Sequence, residues 1–517
     1  MSRRQIYTLL MAISAAIVLG RIVAIDRYDN QELQNYRLRQ IPAILQDKEN
    51  RLRQQSSDEE AIAIELERTR RELQRNAVLE SPLLSANDRS RWCTIRALVE
   101  PDLRVIRTVT KNDGTQRNEY VWYAIDKVQT LKGWDTIDMC KHELPDNPGP
   151  AYLYSTKPPL LPTLMAIPYA AVYWGSNKQF SLENEPYFVV RTMLVLLNLI
   201  PLVFCWVLLA RLIDRFGTTD WGRIFSVAFV CFGTFMSTFA VTLNNHLPGV
   251  VFVTIALYCG VRILFDDEKR LRYFFFAGIF SAFAAVCELP ALAFCAFLGL
   301  MLLHKAAKPT LIGFMAGALI VAAMFFATNY IAHQTLAPAY SKKEWYSYTY
   351  ERGGRQLQSY WDNRVGIDNG EESQLTYLLH TTVGHHGIFS LTPVWILSFI
   401  GLGCWTFSVF DRRYRDLALM IIALSMIVYV FYLFRPQVDR NYGGMCCGLR
   451  WMFWFIPLWS VPLVTAVDRL SRFAVGRWLC LILLAVSVVS VVYPWNPWSQ
   501  PWIYQLMAWL GYSVLGT

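Results

Sequence analysis

Runs of about 17 to 25 apolar residues recur along this chain, the length a helix needs to cross the hydrocarbon core of a bilayer. The 517 residues are 54% apolar and 14% aromatic, whereas charged residues make up only 17% and gather in short clusters between the runs. An ordinary soluble domain is excluded. The pattern predicts an all-α polytopic membrane protein with about eleven transmembrane helices. The predicted spans are Ile6–Ile25, Phe188–Ala210, Ile224–Val241, Val250–Phe265, Phe274–Cys287, Ala291–Leu303, Leu311–Ala327, Val394–Phe410, Leu417–Phe434, Met452–Val467 and Trp478–Val492. Glu288-Leu289-Pro290 reads as a turn between two of them, because proline cannot continue a helix. Ile6–Ile25 is long for a signal segment and reads as an uncleaved anchor. The net charge of +9 gives no reason to expect nucleic acid, since the basic residues lie between spans, where they set topology.

One polar interruption is far longer than the others. Between Ile25 and the Tyr154–Leu160 segment no run is long enough to span, so a large loop follows the first helix. Charge decides its side. With Arg3 and Arg4 in the cytoplasm and Leu160–Trp174 not crossing, Arg211, Arg215, Arg223, Lys269, Arg270, Arg272, Lys305, Lys308, Arg412, Arg413, Arg415, Arg469, Arg472 and Arg477 all become cytoplasmic. If Leu160–Trp174 crosses, these clusters flip outward. The expected plan is therefore a first helix (1–25), an extracytoplasmic loop (26–187) and a transmembrane bundle (188–327). A second outer loop (328–393), C-terminal spans (394–492) and an outer interfacial tail (493–517) follow. Loops 242–249 and 435–451 lie on the outer face, and segment 160–174 is a juxtamembrane helix.

Within the first loop, residues 30–80 read as a helical hairpin broken near Gln55–Asp58. Ser57 and Glu60 have the spacing of a capping box, and a docking or spacer role is expected. The part that follows is mixed, with a short helix (Ser90–Val99) and strands Val105–Val109 and Glu119–Ile125 joined at Lys111-Asn112-Asp113-Gly114. Cys93 and Cys140 share this loop and can pair if it is extracytoplasmic. Cysteines within spans read as small packing residues, as does the vicinal pair Cys446-Cys447.

Four groups of residues can carry chemistry on the outer face. Asp88, in Asn87–Trp92, is either a helix cap or a carboxylate general base. Arg89, Arg91 and Lys157 suit a lipid phosphate, which arginine forks match and lysine meets as a point charge. Pro158 and Pro159 fix an extended approach and then open a helix, placing Lys157 at the bilayer lip. Arg450 opens a span and is either a snorkelling side chain or a further phosphate ligand. His380, His385 and His386 lie with Glu371 and Glu372 in loop 328–393, but adjacent histidines on a helix do not readily share an ion and no i, i+4 pair completes a set. No metal ligand is assigned, and a divalent ion is not expected.

The order of spanning anchor, acidic helix start in the first outer loop, and Lys157-Pro158-Pro159-Leu160 resembles the C superfamily of glycosyltransferases. The closest branch is that of protein O-mannosyltransferases and lipid A aminoarabinose transferases. In that branch the acidic motif typically reads Asp-Glu-Ala-Arg-Tyr. Here it is Asp88-Arg89-Ser90-Arg91-Trp92, with Arg89 where the family has glutamate. The resemblance puts the catalytic aspartate at Asp88 and the conserved arginine at Arg91, and matches the Lys-Pro-Pro-Leu element without change. Asn244–Pro248 falls where the branch usually has an aspartate-containing loop, and Gly444–Arg450 looks like the glycine-then-arginine element of related uncharacterised members. The resemblance implies an inverting transferase that moves a sugar from a polyprenyl phosphate to a glycan, lipid or protein acceptor at the outer face of a bacterial plasma membrane. Asp88 would be the base, and Arg91, Lys157, Arg450, Arg89 and His246 would hold donor or phosphate. No cofactor beyond the lipid-linked donor is implied. A lipid or glycan transporter, and a non-catalytic assembly protein that docks a partner on residues 30–80, are the alternatives.

Overall fold

The computed structural model describes residues 1–55, 58–77, 83–110, 113–131, 133–352, 355–371, 373–407 and 411–512. Ser57, Lys111, Asn112 and Glu372 lie outside that set, as do residues 408–410 of one expected span. Among the described residues, eight helices are long and apolar enough to cross a membrane: Arg3–Val23, Pro186–Phe216, Asp220–Phe239, His246–Phe265, Ala307–His333, Arg412–Leu433, Arg450–Leu470 and Ala474–Val492. The other three expected spans correspond to shorter apolar helices, Leu271–Cys287, Leu289–Lys305 and Val394–Thr406. The fold is that of a helical polytopic membrane protein, and one continuous apolar core runs through the bundle.

The two ends of the bundle sort as the charge pattern requires. Near the N-terminus, Arg3 pairs with Asp214 at 3.2 Å and also meets Asp220. Arg215 reaches Asp266 at 2.9 Å, and Arg413 donates to the Phe265 carbonyl. The Asp468 carboxylate accepts from the backbone and hydroxyls of Thr218 and Thr219. All these groups occupy one end. At the other end Arg21 donates to the carbonyls of Pro494 and Trp495. The segment between the first two spans therefore leaves and re-enters the bundle at the same end, so Leu160–Gly175 makes no net crossing.

We label the first helices α1 (Arg3–Val23), α2 (Ile25–Gln55), α3 (Glu59–Ala77) and α4 (Ala86–Val99). α2 and α3 form the expected hairpin, with Lys48 bonded to both Glu65 and Thr69. Its second arm opens on Asp58, which accepts from the amides of Glu60 and Ala61. The mixed region adds β1 (Val105–Thr110) and β2 (Gln116–Val121), paired antiparallel, then α5 (Asp126–Gln129). Tyr123 has φ of 68°, which ends the expected strand Glu119–Ile125 early, since a bulky side chain at positive φ cannot continue a pleat. A second hairpin, β3 (Met139–Leu144) and β4 (Asn147–Ser155), leads into α6 (Leu160–Gly175). Cys93 and Cys140 are both free thiols. Cys93 sits in the main core and Cys140 in a separate cluster, so the pairing considered from sequence is not made.

Candidate functional site

A cavity of about 300 Å³ opens where the loops predicted to be extracytoplasmic converge. That volume is at the small end of ligand sites. Its charged side chains and one histidine come from segments distant in sequence: Arg91, Asp138, Lys157, His246, Glu288 and Arg450. The sequence reading nominated four of these six.

α4 supplies Arg91. This helix begins earlier than expected, and its cap is Ser85, not Asn87 or Asp88. The Ser85 hydroxyl accepts from the amides of Asn87 and Asp88, and Asp88 returns a bond to the Ser85 amide, completing a capping box. A buried ion pair then fixes the helix: Arg96 donates two bonds to Glu100, at 2.8 and 2.6 Å, and Tyr169 of α6 donates to the same carboxylate. On the cavity side, Arg91 bonds the backbone and side-chain oxygens of Asn87 and reaches the Asn245 side-chain oxygen. Burial lowers its pKa to about 10, so it is charged at neutral pH.

Asp88 and Arg89 lie elsewhere. The Asp88 carboxylate accepts from the Leu84 amide, the Ser85 amide and the Thr242 hydroxyl, and Asp88 is not part of the cavity wall. Burial pushes its pKa above the usual carboxylate value. Arg89 donates its Nε proton to the Asp135 carbonyl at 2.6 Å. Asp88→Asn turns one acceptor into a donor facing donors, which costs about 1–3 kcal/mol. A lower unfolding midpoint in detergent is expected. An unchanged midpoint combined with lost transfer would return Asp88 to the chemistry.

The register of β3 and β4 brings Asp138 to Lys157. Met139 pairs with Ser155, so the residues just beyond each strand end meet: the Thr156 amide donates to the Asp138 carbonyl, and Lys157 Nζ lies 3.2 Å from Asp138 Oδ2. Ser155 fixes the approach by accepting from the Lys157 amide and bonding Ser90 of α4. Pro158 and Pro159 then start α6, as their fixed φ favours. Burial lowers the Lys157 pKa to about 8, against the opposing pull of Asp138.

A relay continues from Arg91 through Asn245. The Asn245 side-chain nitrogen donates to Glu288 Oε1 and to the Cys287 carbonyl, and the His246 ring lies against the same Glu288 oxygen. Glu288, read from sequence only as part of a turn, is 6% exposed and belongs to this wall. Arg450 differs from the other two cations. Its Nε and Nη1 are buried without a hydrogen-bond partner, and its guanidinium lies 5.0 Å from the centre of the Trp498 ring. Gly443, at φ +92°, is required beside it, because a Cβ there would come within 2.2 Å of Arg450 Nε. Loop 328–393 adds the aromatic residues Tyr340, Tyr346 and Trp361 to the lining. It is held over β3 by Trp361 donating to the Ile137 carbonyl and Tyr348 to the Met139 carbonyl.

The site thus sets three cations (Arg91, Lys157, Arg450) against two carboxylates (Asp138, Glu288) beneath aromatic rings. Buried donors without partners cost free energy until a ligand satisfies them, and guanidinium and ammonium groups match a phosphate. Sequence reading missed Asp138 and Glu288. Asp138 carries no motif, although the alternation in Met139–Leu144 and in Tyr152–Tyr154 is a strand signal that could have placed it.

No known family profile matches the chain, and no curated protein matches it. Among solved structures the chain is similar to the oligosaccharyltransferase of Archaeoglobus fulgidus. The apo form matches at 11% identity and a TM-score of 0.40, over 84% of this chain and 53% of that one. The complex with Zn and sulfate matches at 13% identity and a TM-score of 0.39, over 69% of this chain and 47% of that one. The complex of the archaeal enzyme AglB with an inhibitory peptide and a dolichol-phosphate matches at 11% identity and a TM-score of 0.38. The chain spans about half the length of these proteins.

Proposed function

We propose that this protein is an inverting glycosyltransferase that takes a sugar from a polyprenyl phosphate in this cavity and passes it to a hydroxyl or amine acceptor at the membrane surface. The observation that carries the reading is the convergence of Arg91, Lys157 and Arg450 on one cavity, with two Arg450 donors buried and unpartnered. The Lys-Pro-Pro-Leu element, whose lysine lines that cavity, supports the same reading. The cations hold the phosphate and stabilise the charge that develops on it as the bond from the anomeric carbon to phosphate oxygen breaks. The acceptor oxygen or nitrogen bonds to that carbon from the opposite face, and its proton passes to a carboxylate. We assign that proton to Asp138 in place of Asp88. Asp138 lines the cavity and pairs with Lys157, which a phosphate dianion would engage. Glu288 is committed through Oε1 to Asn245 and His246, and acts by orienting the Arg91 wall.

Purified protein is therefore expected to bind a long-chain polyprenyl phosphate and to transfer sugar from polyprenyl-phosphate donors. Absence of both would overturn the reading, and lipid flux without transfer would favour a transporter. The pH dependence has a defined sign. Lys157 is charged below about pH 8 and neutral above it, so affinity for the lipid phosphate is expected to fall as pH rises through 8. Lys157→Arg, which stays charged, should remove that fall. An identical pH profile in parent and variant would exclude Lys157 as the titrating group.

A further inference from the structure

A second cluster lies in loop 328–393, away from the cavity lining. Ligand atoms of Glu371, His380 and His385 lie within 4.8 Å of one another. The spacing rule that set the histidines aside applies along a helix, and here the chain leaves it. The helix Gln374–Thr382 ends, and the amides of Val383 and Gly384 both return to the Leu379 carbonyl. The reversal stacks His385 on His380, ring centres 3.9 Å apart. The residue that can share an ion with His385 is thus His380, not its neighbour His386.

His386 has a different role. Its Nε2 lies 3.0 Å from the Cys446 carbonyl, which can only accept, so Nε2 carries the proton. Neutral His386 then presents a bare Nδ1, and His385 Nδ1 lies 2.5 Å from it, so His385 donates there. That tautomer leaves His385 Nε2 with its lone pair free. Such a relay to a backbone carbonyl is what orients metal-ligating histidines. The carboxylate is oriented in the same way: Tyr442 donates to Glu371 Oε1 at 2.7 Å, and Tyr442 stacks on His386. His380 Nδ1 is buried with no hydrogen-bond partner.

We propose that Glu371, His380 and His385 form a binding site for a zinc-class divalent metal ion within loop 328–393, with its ligands oriented by hydrogen bonds to the 435–451 segment that carries Arg450. Two imidazoles and one carboxylate select a borderline transition ion over calcium or magnesium, which prefer oxygen ligands. Bonds of about 2.0–2.1 Å in tetrahedral geometry place ligand atoms roughly 3.3 Å apart, so the side chains close on the ion. The fourth position is left to solvent or to a ligand. Hydrogen bonds tie the site to that segment. Glu371 lies next to Gly370, and its amide bonds the Arg440 carbonyl, while the His386 relay ends at Cys446, four residues before Arg450.

The test uses the full chain without a histidine tag, purified in detergent, stripped with a chelator and equilibrated with Zn²⁺. About one zinc per chain is expected by elemental analysis. Cobalt in its place should give the visible absorption of a four-coordinate nitrogen and oxygen site. His380→Ala and His385→Ala should each abolish retention through desalting, and His386→Phe should weaken affinity by about 10- to 100-fold by removing the relay. Glu371→Gln keeps the volume of the side chain and serves if the alanine variants fold poorly. It too should lose the ion. A parent protein that retains no zinc, or a His380→Ala/His385→Ala protein that retains the parental amount, overturns the proposal. Metal content is read directly, so the outcome is independent of whether sugar transfer is detected.

Discussion

Replacing Arg450 by methionine is expected to abolish most phosphate-dependent function while leaving the protein folded. The substitution keeps much of the apolar stem and removes a guanidinium whose Nε and Nη1 have no partner in the structure. Nothing is orphaned by its removal, so the unfolding midpoint should hold or rise. The ligand loses a charged hydrogen-bonding contact worth about 1.5–3 kcal/mol, roughly a 10- to 150-fold loss of affinity for a polyprenyl phosphate. Turnover should fall further, by about 10²–10³, if the contact strengthens as charge develops on the leaving phosphate. Arg450→Lys should recover part of the affinity, because a point charge meets the phosphate without the fork. Parental affinity and turnover in Arg450→Met would place the phosphate elsewhere.

The second large effect is expected at Asp138. Asp138→Asn keeps the shape and a partner for Lys157 and removes the proton acceptor, so transfer should fall by about 10²–10⁴ while affinity for the lipid phosphate is kept or improved. Affinity improves if anything, because the three cations then face one carboxylate fewer. The comparison with Asp88→Asn is decisive, since that variant is expected to lose stability first. Full transfer by Asp138→Asn would shift the base to Glu288, and Glu288→Gln would be the next variant. If both retained transfer, the proton would have to leave by solvent.

Much of the architecture was legible from the chain. The apolar runs placed the helices of the bundle, because crossing a bilayer sets a minimum length and disfavours charges, but eight of them, not eleven, are long and apolar enough to span among the described residues. The sorting of basic loops predicted that Leu160–Trp174 makes no net crossing, and the Arg3–Asp214 and Arg21–Pro494 contacts at opposite ends agree. Lys157, Arg91, His246 and Arg450 were legible as candidates because charges beside long apolar runs are few. Asp88 was nominated on its motif, whereas the structure occupies its carboxylate with the Leu84 and Ser85 amides and the Thr242 hydroxyl. An aspartate three residues past a serine cap serves the helix start, and whether Ser85 is that cap depends on where the helix begins, a boundary of low information in sequence.

The sequence by itself determined the membrane-spanning class, and it nominated Arg89, Arg91, Lys157 and Arg450 as cations for a phosphate, of which the structure brings Arg91, Lys157 and Arg450 to one cavity. Those features follow from hydropathy, charge and proline chemistry, each local in the chain. Only the tertiary structure decided which groups share the cavity. Strand register sets Asp138 against Lys157, and helix packing turns Glu288 toward His246. A chain reversal after Thr382 stacks His385 on His380. Each of these contacts joins residues by a pairing or a turn whose geometry is fixed only when the surrounding elements have packed, so no spacing along the chain encodes it.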